Sequence, residues 1–265
     1  MSHVDAHQPG NPCWLELAAL DTDAARKFYA GLFGWTYFES PMGPDMPPYI
    51  LIRVQDRDAG AMYSMMKDQR DQGMPAFWLP YVAVASADQT APKIGPLGGK
   101  VMKDAFDVPE AGRMAVATDP AGGNFAIWQA GGQPGARIVN EPGAMCWVEL
   151  LARDVPKSEA FYTGLFGWKS EKMSMGGPIE YTVFKNGEVQ VAGMMPNPAG
   201  AEDNVPQAWL GYWAVTDCDG TVDKAKATGG QVFVSPQSMS GVGRFAVLAD
   251  PQGATFGILQ PEVRR

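Results

Sequence analysis

Two glutamates stand at matching places in a sequence that repeats itself. Glu16 lies in CWLELAALDTDAARKFYAGLFGW, and Glu149 lies in CWVELLARDVPKSEAFYTGLFGW, 133 residues later. Each follows a tryptophan, Trp14 or Trp147, by two positions. Leu15 and Leu17 alternate with Trp14 and Glu16, and period two is a strand signal, so tryptophan and glutamate share one face. A carboxylate in apolar surroundings can do one of three things. It can pair with a cation, orient a ligand, or act as a general base if burial raises its pKa toward neutrality. The candidate cations are Arg113 and Arg244. They match in a second repeated pair, GRMAVATDPAGGNFAIWQ and GRFAVLADPQGATFGILQ, 131 residues apart, which also pairs Asp119 with Asp250 and Gln129 with Gln260.

Other reactive groups are sparse. The two histidines, His3 and His7, precede the first repeat, and no histidine lies in the body of the chain. A transition-metal site in the body would then need carboxylates alone or with cysteine. Cys13, Cys146 and Cys218 form no CxxC or other ligand spacing and read as buried thiols. No GxSxG elbow, P-loop or dinucleotide GxGxxG is present. GGK at 98–100 and GGQ at 229–231 follow expected helices and read as caps.

The formal net charge of −8, with no run of Lys or Arg, argues against nucleic acid and against an anionic membrane surface. No apolar stretch approaches the ~20 residues of a membrane helix. The first residues, MSHVDAHQPGN, lack the basic region and apolar run of a signal peptide. The expectation is a cytoplasmic protein, monomer or homodimer, whose partner is a small molecule.

These residues need elements to position them. The strand at 13–19 leads to Asp21, which can cap a helix whose Ala25, Phe28, Tyr29, Leu32 and Phe33 recur at helical spacing, with Gly34 as the stop. Strands are expected at 35–39, 49–54 and 59–66, the first two separated by a Gly/Pro-rich loop. A second round follows. It has a strand at 79–85, a weak helix at 88–97 interrupted by Pro92 and Pro96, and three strands carrying KVMKDAF, RMAVAT and NFAIWQ. The DPAG turn at Asp119–Gly122 joins the last two. The second half repeats this pattern, with a cleaner helix near 219–230. The expected layout is a flexible N-terminal tail at 1–11, one domain at 12–130, a Gly/Pro-rich linker at 131–143 and a second domain at 144–261. His3 and His7 would lie in that tail.

Four β-α-β-β-β units in two pairs resemble the vicinal oxygen chelate superfamily, which includes glyoxalase I, extradiol dioxygenases, and bleomycin- and fosfomycin-resistance proteins. The duplicated strand–Asp–x6–FY–x3–FGW run and the duplicated GRxAV…DPxG run carry the resemblance. It implies an α+β fold of two glyoxalase-like domains. Each would be a curved, cup-shaped sheet with helices on the convex side and ligand in the concave side.

The resemblance also implies a divalent metal in the cup, held at set places. Those places fall on Trp14, Leu79 and Ala126 in the first half and on Trp147, Leu210 and Gly257 in the second. The fourth falls within Ala59–Met66 and Val189–Met195, where no carboxylate occurs. No metal and no other cofactor is therefore expected.

If the family's ligand places face inward, strand parity lists what lines each cup. The first would show Trp14, Glu16, Leu79, Tyr81, Asn124, Ala126 and Trp128, with Arg113 a neighbour. The second would show Trp147, Glu149, Leu210, Tyr212, Thr255, Gly257 and Leu259, with Arg244. Ligand binding is expected at Trp14, Tyr81, Arg113, Asn124, Trp128, Trp147, Tyr212 and Arg244, with Glu16 and Glu149 the catalytic candidates. Met42, Met46, Met173 and Met175 sit in loops suited to lids. Met62, Met65, Met66, Met194 and Met195 either line an adaptable pocket or fill the core. The expected function is metal-independent binding of a small, partly apolar molecule. A metal-free lyase, isomerase or hydroxylase-like enzyme is the alternative, and a metalloenzyme with unorthodox ligands is the remote third.

Overall fold

The computed structural model describes residues 2–44, 46–174, 180–197 and 207–262. In the first half β1 (Pro12–Ala19) leads through α1 (Thr22–Phe33) to β2 (Thr36–Ser40), β3 (Tyr49–Val54) and β4 (Arg57–Ser64). A short helix α2 (Lys67–Asp71) precedes β5 (Phe77–Ala83), α3 (Ala87–Ile94), β6 (Lys100–Val108), β7 (Gly112–Thr118) and β8 (Asn124–Ala130). The second half runs β9 (Met145–Ala152), α4 (Val155–Phe166), β10 (Lys169–Ser174), β11 (Glu180–Asn186), β12 (Val189–Pro196), β13 (Ala208–Ala214), α5 (Cys218–Ala227), β14 (Gln231–Met239), β15 (Gly243–Ala249) and β16 (Thr255–Pro261). α3 forms despite Pro92, with the Ser86 hydroxyl capping its start.

Each half is one eight-stranded mixed sheet, ordered β2-β3-β4-β1-β5-β8-β7-β6 and β10-β11-β12-β9-β13-β16-β15-β14. The two units of a half join where β1 runs antiparallel to β5, and β9 to β13. This register places Trp14 opposite Tyr81 and Glu16 opposite Leu79 at the centre of the sheet. The parallel pairs β1–β4 and β5–β8 flank that centre.

The halves meet through the faces that carry the helices. β5 touches β13 directly, with α1 beside α5 and α3 beside α4. The core at this junction holds Leu15, Leu17, Trp78, Val148, Leu150 and Trp213, all from the face opposite the glutamates.

Both repeated sequence runs are explained by this junction. The Tyr29 hydroxyl on α1 donates to Asp250 (3.1 Å), and the Tyr162 hydroxyl on α4 donates to Asp119 (2.8 Å). The same two aspartates accept backbone N–H groups inside their own DPxG turns. Each turn therefore closes itself and latches the helix of the other half. Trp78 and Trp209 indoles donate in turn to Tyr29 and Tyr162.

The N-terminal segment differs from the expected flexible tail. Val4 N–H donates to Arg137 O and Val139 N–H to Ser2 O, so the segment lies along the interdomain linker. His7 Nε2 contacts Ala136 O at 2.8 Å. The reason is the repeat itself. Gly10 O accepts from the Trp168 indole as Gly143 O accepts from Trp35, so the segment does for one half what the linker does for the other.

Candidate functional site

The cup of each half is the sheet face turned away from the junction. Glu16 and Glu149 sit near its centre, 8% and 7% exposed. Two phenols hold each carboxylate. Tyr49 donates to Glu16 Oε2 at 2.5 Å and Tyr81 to Oε1 at 2.9 Å. Tyr181 donates to Glu149 Oε2 at 2.7 Å and Tyr212 to Oε1 at 3.1 Å. Behind each β3 or β11 tyrosine stands an indole. Trp14 Nε1 donates to Tyr49 at 3.3 Å, and Trp147 Nε1 donates to Tyr181 at 2.9 Å.

The indole sets the direction of this chain. Tryptophan only donates, so the tyrosine accepts from it and passes its own proton to Oε2. Oε2 is thereby fixed as an acceptor, and Oε1 accepts from Tyr81 or Tyr212. Burial raises the pKa of both glutamates, and the phenol hydrogen bonds pull the other way. Burial, then the carboxylate charge, holds Tyr49, Tyr81, Tyr181 and Tyr212 above the ordinary phenol range. Tyr63 at the rim of the first cup is pushed up to about 12, by burial first and Glu16 second.

Arg113 and Arg244 are not in the cups. Arg113 pairs with Asp88 and Asp107, and Arg244 with Asp219, on the outer edge of each half. Parity is the reason. The next residue, Met114, faces the first cup and packs in its apolar cluster, so Arg113 points to the α3 side. Neither glutamate forms a salt bridge among the described residues. The ion-pair reading is therefore corrected. Asn124 is exposed at the start of β8, opposite Thr118, away from the Glu16 cluster. Trp14, Tyr81 and Trp128 do come together there, Trp128 edge-on to Tyr81 at 6.4 Å.

Sequence reasoning missed Tyr49 and Tyr181. They sit at matching places after the loop of each half, and the repeat itself carried that signal. Their route to the glutamates, across β4 and β12, is visible only with the strand order known. Met62 and Met194 fill the junction core, Met65 is buried, and Met42, Met46, Met66 and Met173 are exposed. Met175 lies outside the described residues.

The donors present do not suit the metal of the resembled family. Register completes the set of places. Ala61 stands beside Glu16 as Ala126 stands beside Tyr81, and Gly193 and Gly257 hold these places in the second half. A Cβ at Gly193 would overlap the Tyr181 hydroxyl, and one at Gly257 the Tyr212 ring. The tyrosines thus occupy the space that ligand side chains would need. No group of three or more His, Cys, Asp or Glu suited to a metal is found among the described residues. One carboxylate with two neutral phenols is a poor site for a transition metal, which takes three or four anionic or imidazole donors.

No helix among the described residues is long and apolar enough to cross a membrane. A family model described as Glyoxalase/Bleomycin resistance protein/Dioxygenase superfamily matches residues 13–127 and again 135–258. The chain is 40% identical over 255 residues, 96% of each chain, to a protein named putative glyoxylase CFP32 from Mycobacterium tuberculosis (strain CDC 1551 / Oshkosh). It is 34% identical over 263 residues, covering 95% of this chain and 94% of the other, to the anthracycline biosynthesis protein DnrV of Streptomyces peucetius. Among solved structures, the Mn(II)-bound glyoxalase from Novosphingobium aromaticivorans superposes with a TM-score of 0.63 at 14% identity, over 98% of this chain and 83% of the other. Two family matches, one on each of two matching sheets, settle the affiliation: the chain belongs to the glyoxalase/bleomycin resistance protein/dioxygenase superfamily.

Proposed function

We propose that the protein binds a small, partly apolar organic molecule in its cups, without a metal, and that the cup glutamates orient it. One observation carries this reading: a buried carboxylate in each half, fixed by two tyrosines and, among the described residues, paired with no cation. Around it the wall is indole, phenol and aliphatic, the make-up of a ligand pocket with few polar groups. The relative named for anthracycline biosynthesis supports an organic ligand. The experiment is a thermal-shift screen of the chelator-dialysed protein against aromatic metabolites and antibiotics. A guest at 100 times its Kd adds about 2.7 kcal/mol to stability. A shift seen only after metal is added would overturn the proposal.

A second reading is general-base chemistry by the same glutamates, as in a metal-free lyase or isomerase. The removal of Arg113 and Arg244 from the cups favours it, because an adjacent guanidinium would have kept the carboxyl acidic. Glu16→Gln and Glu149→Gln separate the two. Turnover collapses for a base, while affinity alone changes for an orienting group.

A further inference from the structure

The two cups are not equivalent. In the first, Trp14, Met114 and Trp128 are buried at 5%, 8% and 7% exposure. Their counterparts Trp147, Phe245 and Leu259 are partly exposed. Two things shut that side of the first cup. The Trp128 indole is larger than Leu259, and it is pinned by a 2.9 Å bond to Gln133 O. The linker then runs across, with Ala136 N–H bonded to Cys13 O and Gln133 Nε2 to Asp58. The two cups also differ at their floors. Glycines 193 and 257 stand where the first cup has Ala61 and Ala126, so Tyr181 and Tyr212 settle into the sheet.

A molecule entering from the Trp147 side meets aromatic and aliphatic walls and then Glu149. The partners of Glu149 are both phenols, and Trp147 fixes Oε2 as an acceptor. An anion would be repelled by the carboxylate, which no cation among the described residues pairs with. A neutral hydroxyl gains one hydrogen bond. An ammonium gains that bond, the charge of the carboxylate at low dielectric, and the attraction of the ring faces.

We propose that the second cup, and not the first, is a site for a protonated amine carried on a flat apolar body. This rests on the binding reading above and narrows it to one cup and one ligand class. The test is calorimetric titration of the full chain with 2-naphthylmethylammonium and with its neutral isostere 2-naphthylmethanol. The expected result is one site per chain, with the amine bound at least about tenfold tighter than the alcohol. Glu149→Gln erases that preference without removing the apolar wall. Leu259→Trp, which carries the first cup's indole into the second, abolishes binding.

Equal affinities for the two probes, or a preference that survives Glu149→Gln, overturn the inference and leave the binding reading standing. Two sites per chain overturn the assignment to one cup. Failure of both probes overturns the inference, and a blank thermal-shift screen beside it overturns the reading beneath. Because Glu149→Gln is isosteric, the test does not depend on how well Leu259→Trp folds.

Discussion

At Glu16 and Glu149, burial and phenol hydrogen bonds pull the carboxyl in opposite directions, and burial is the larger effect. Each folded pKa therefore lies above the ordinary glutamate value of 4.5. A group shifted this way contributes stability below its unfolded pKa and loses it as pH rises through the folded one. Glutamine mimics the protonated form, accepting from Tyr49 or Tyr181 and donating to Tyr81 or Tyr212. The Glu16→Gln/Glu149→Gln double variant should therefore gain on the wild type as pH climbs from 4 toward 7.5. Denaturant unfolding across that range checks it, and parallel curves would contradict it. Asp250, raised by burial in the same direction, is present in both proteins and cancels. Parity along β1 and β5 made Glu16, Trp14 and Tyr81 legible in the sequence. It failed for Arg113, where a shift of one residue reverses the face, and it had no access to Tyr49, which reaches Glu16 across β4.

The helices show how local chemistry holds these strands in place. Asp21 accepts from the N–H groups of Asp23 and Ala24, and Asp154 from that of Lys157, satisfying donors that a helix start leaves bare. At the other end Gly34 and Gly167 adopt φ of 69° and 71°, where a Cβ is strained. Gly34→Ala and Gly167→Ala should each cost about 1 kcal/mol, measured by chemical denaturation. A loss under a few tenths would mean the caps relax without strain. These elements were legible because capping and stop residues act within a few positions of each other. α2 was not, since its five residues carry no apolar period. Nor was the order of the N-terminal segment, whose hydrogen bonds run to residues 136–139 far along the chain.

Across the whole molecule, the two halves share one aromatic junction. Trp35, Trp78 and Trp213 meet there with centroid distances of 4.7–6.1 Å, and Phe256 of the second half packs on Tyr29 of the first. Neither half can bury these rings alone. Calorimetry should therefore show one cooperative unfolding transition for the chain, with Tyr29→Phe and Tyr162→Phe lowering it as a whole. Two resolved transitions would contradict a shared core. The duplication is plain in the two sheets, whose strand orders match. The asymmetry comes from the linker and from single substitutions such as Trp128 for Leu259, which no repeat comparison weighs without knowing what lies over them.

We propose that this protein holds an organic guest in a cup without a metal. The most direct measurement is the affinity of a guest found by the thermal-shift screen, determined by calorimetry for chelator-dialysed, tag-free protein with and without one equivalent of Mn(II) per cup. Tyr181 and Tyr212 fill the places where ligand side chains would stand, so the two affinities should agree within about twofold. Binding that appears only with the metal, or a metal retained through dialysis at one per cup, would contradict metal-independent binding.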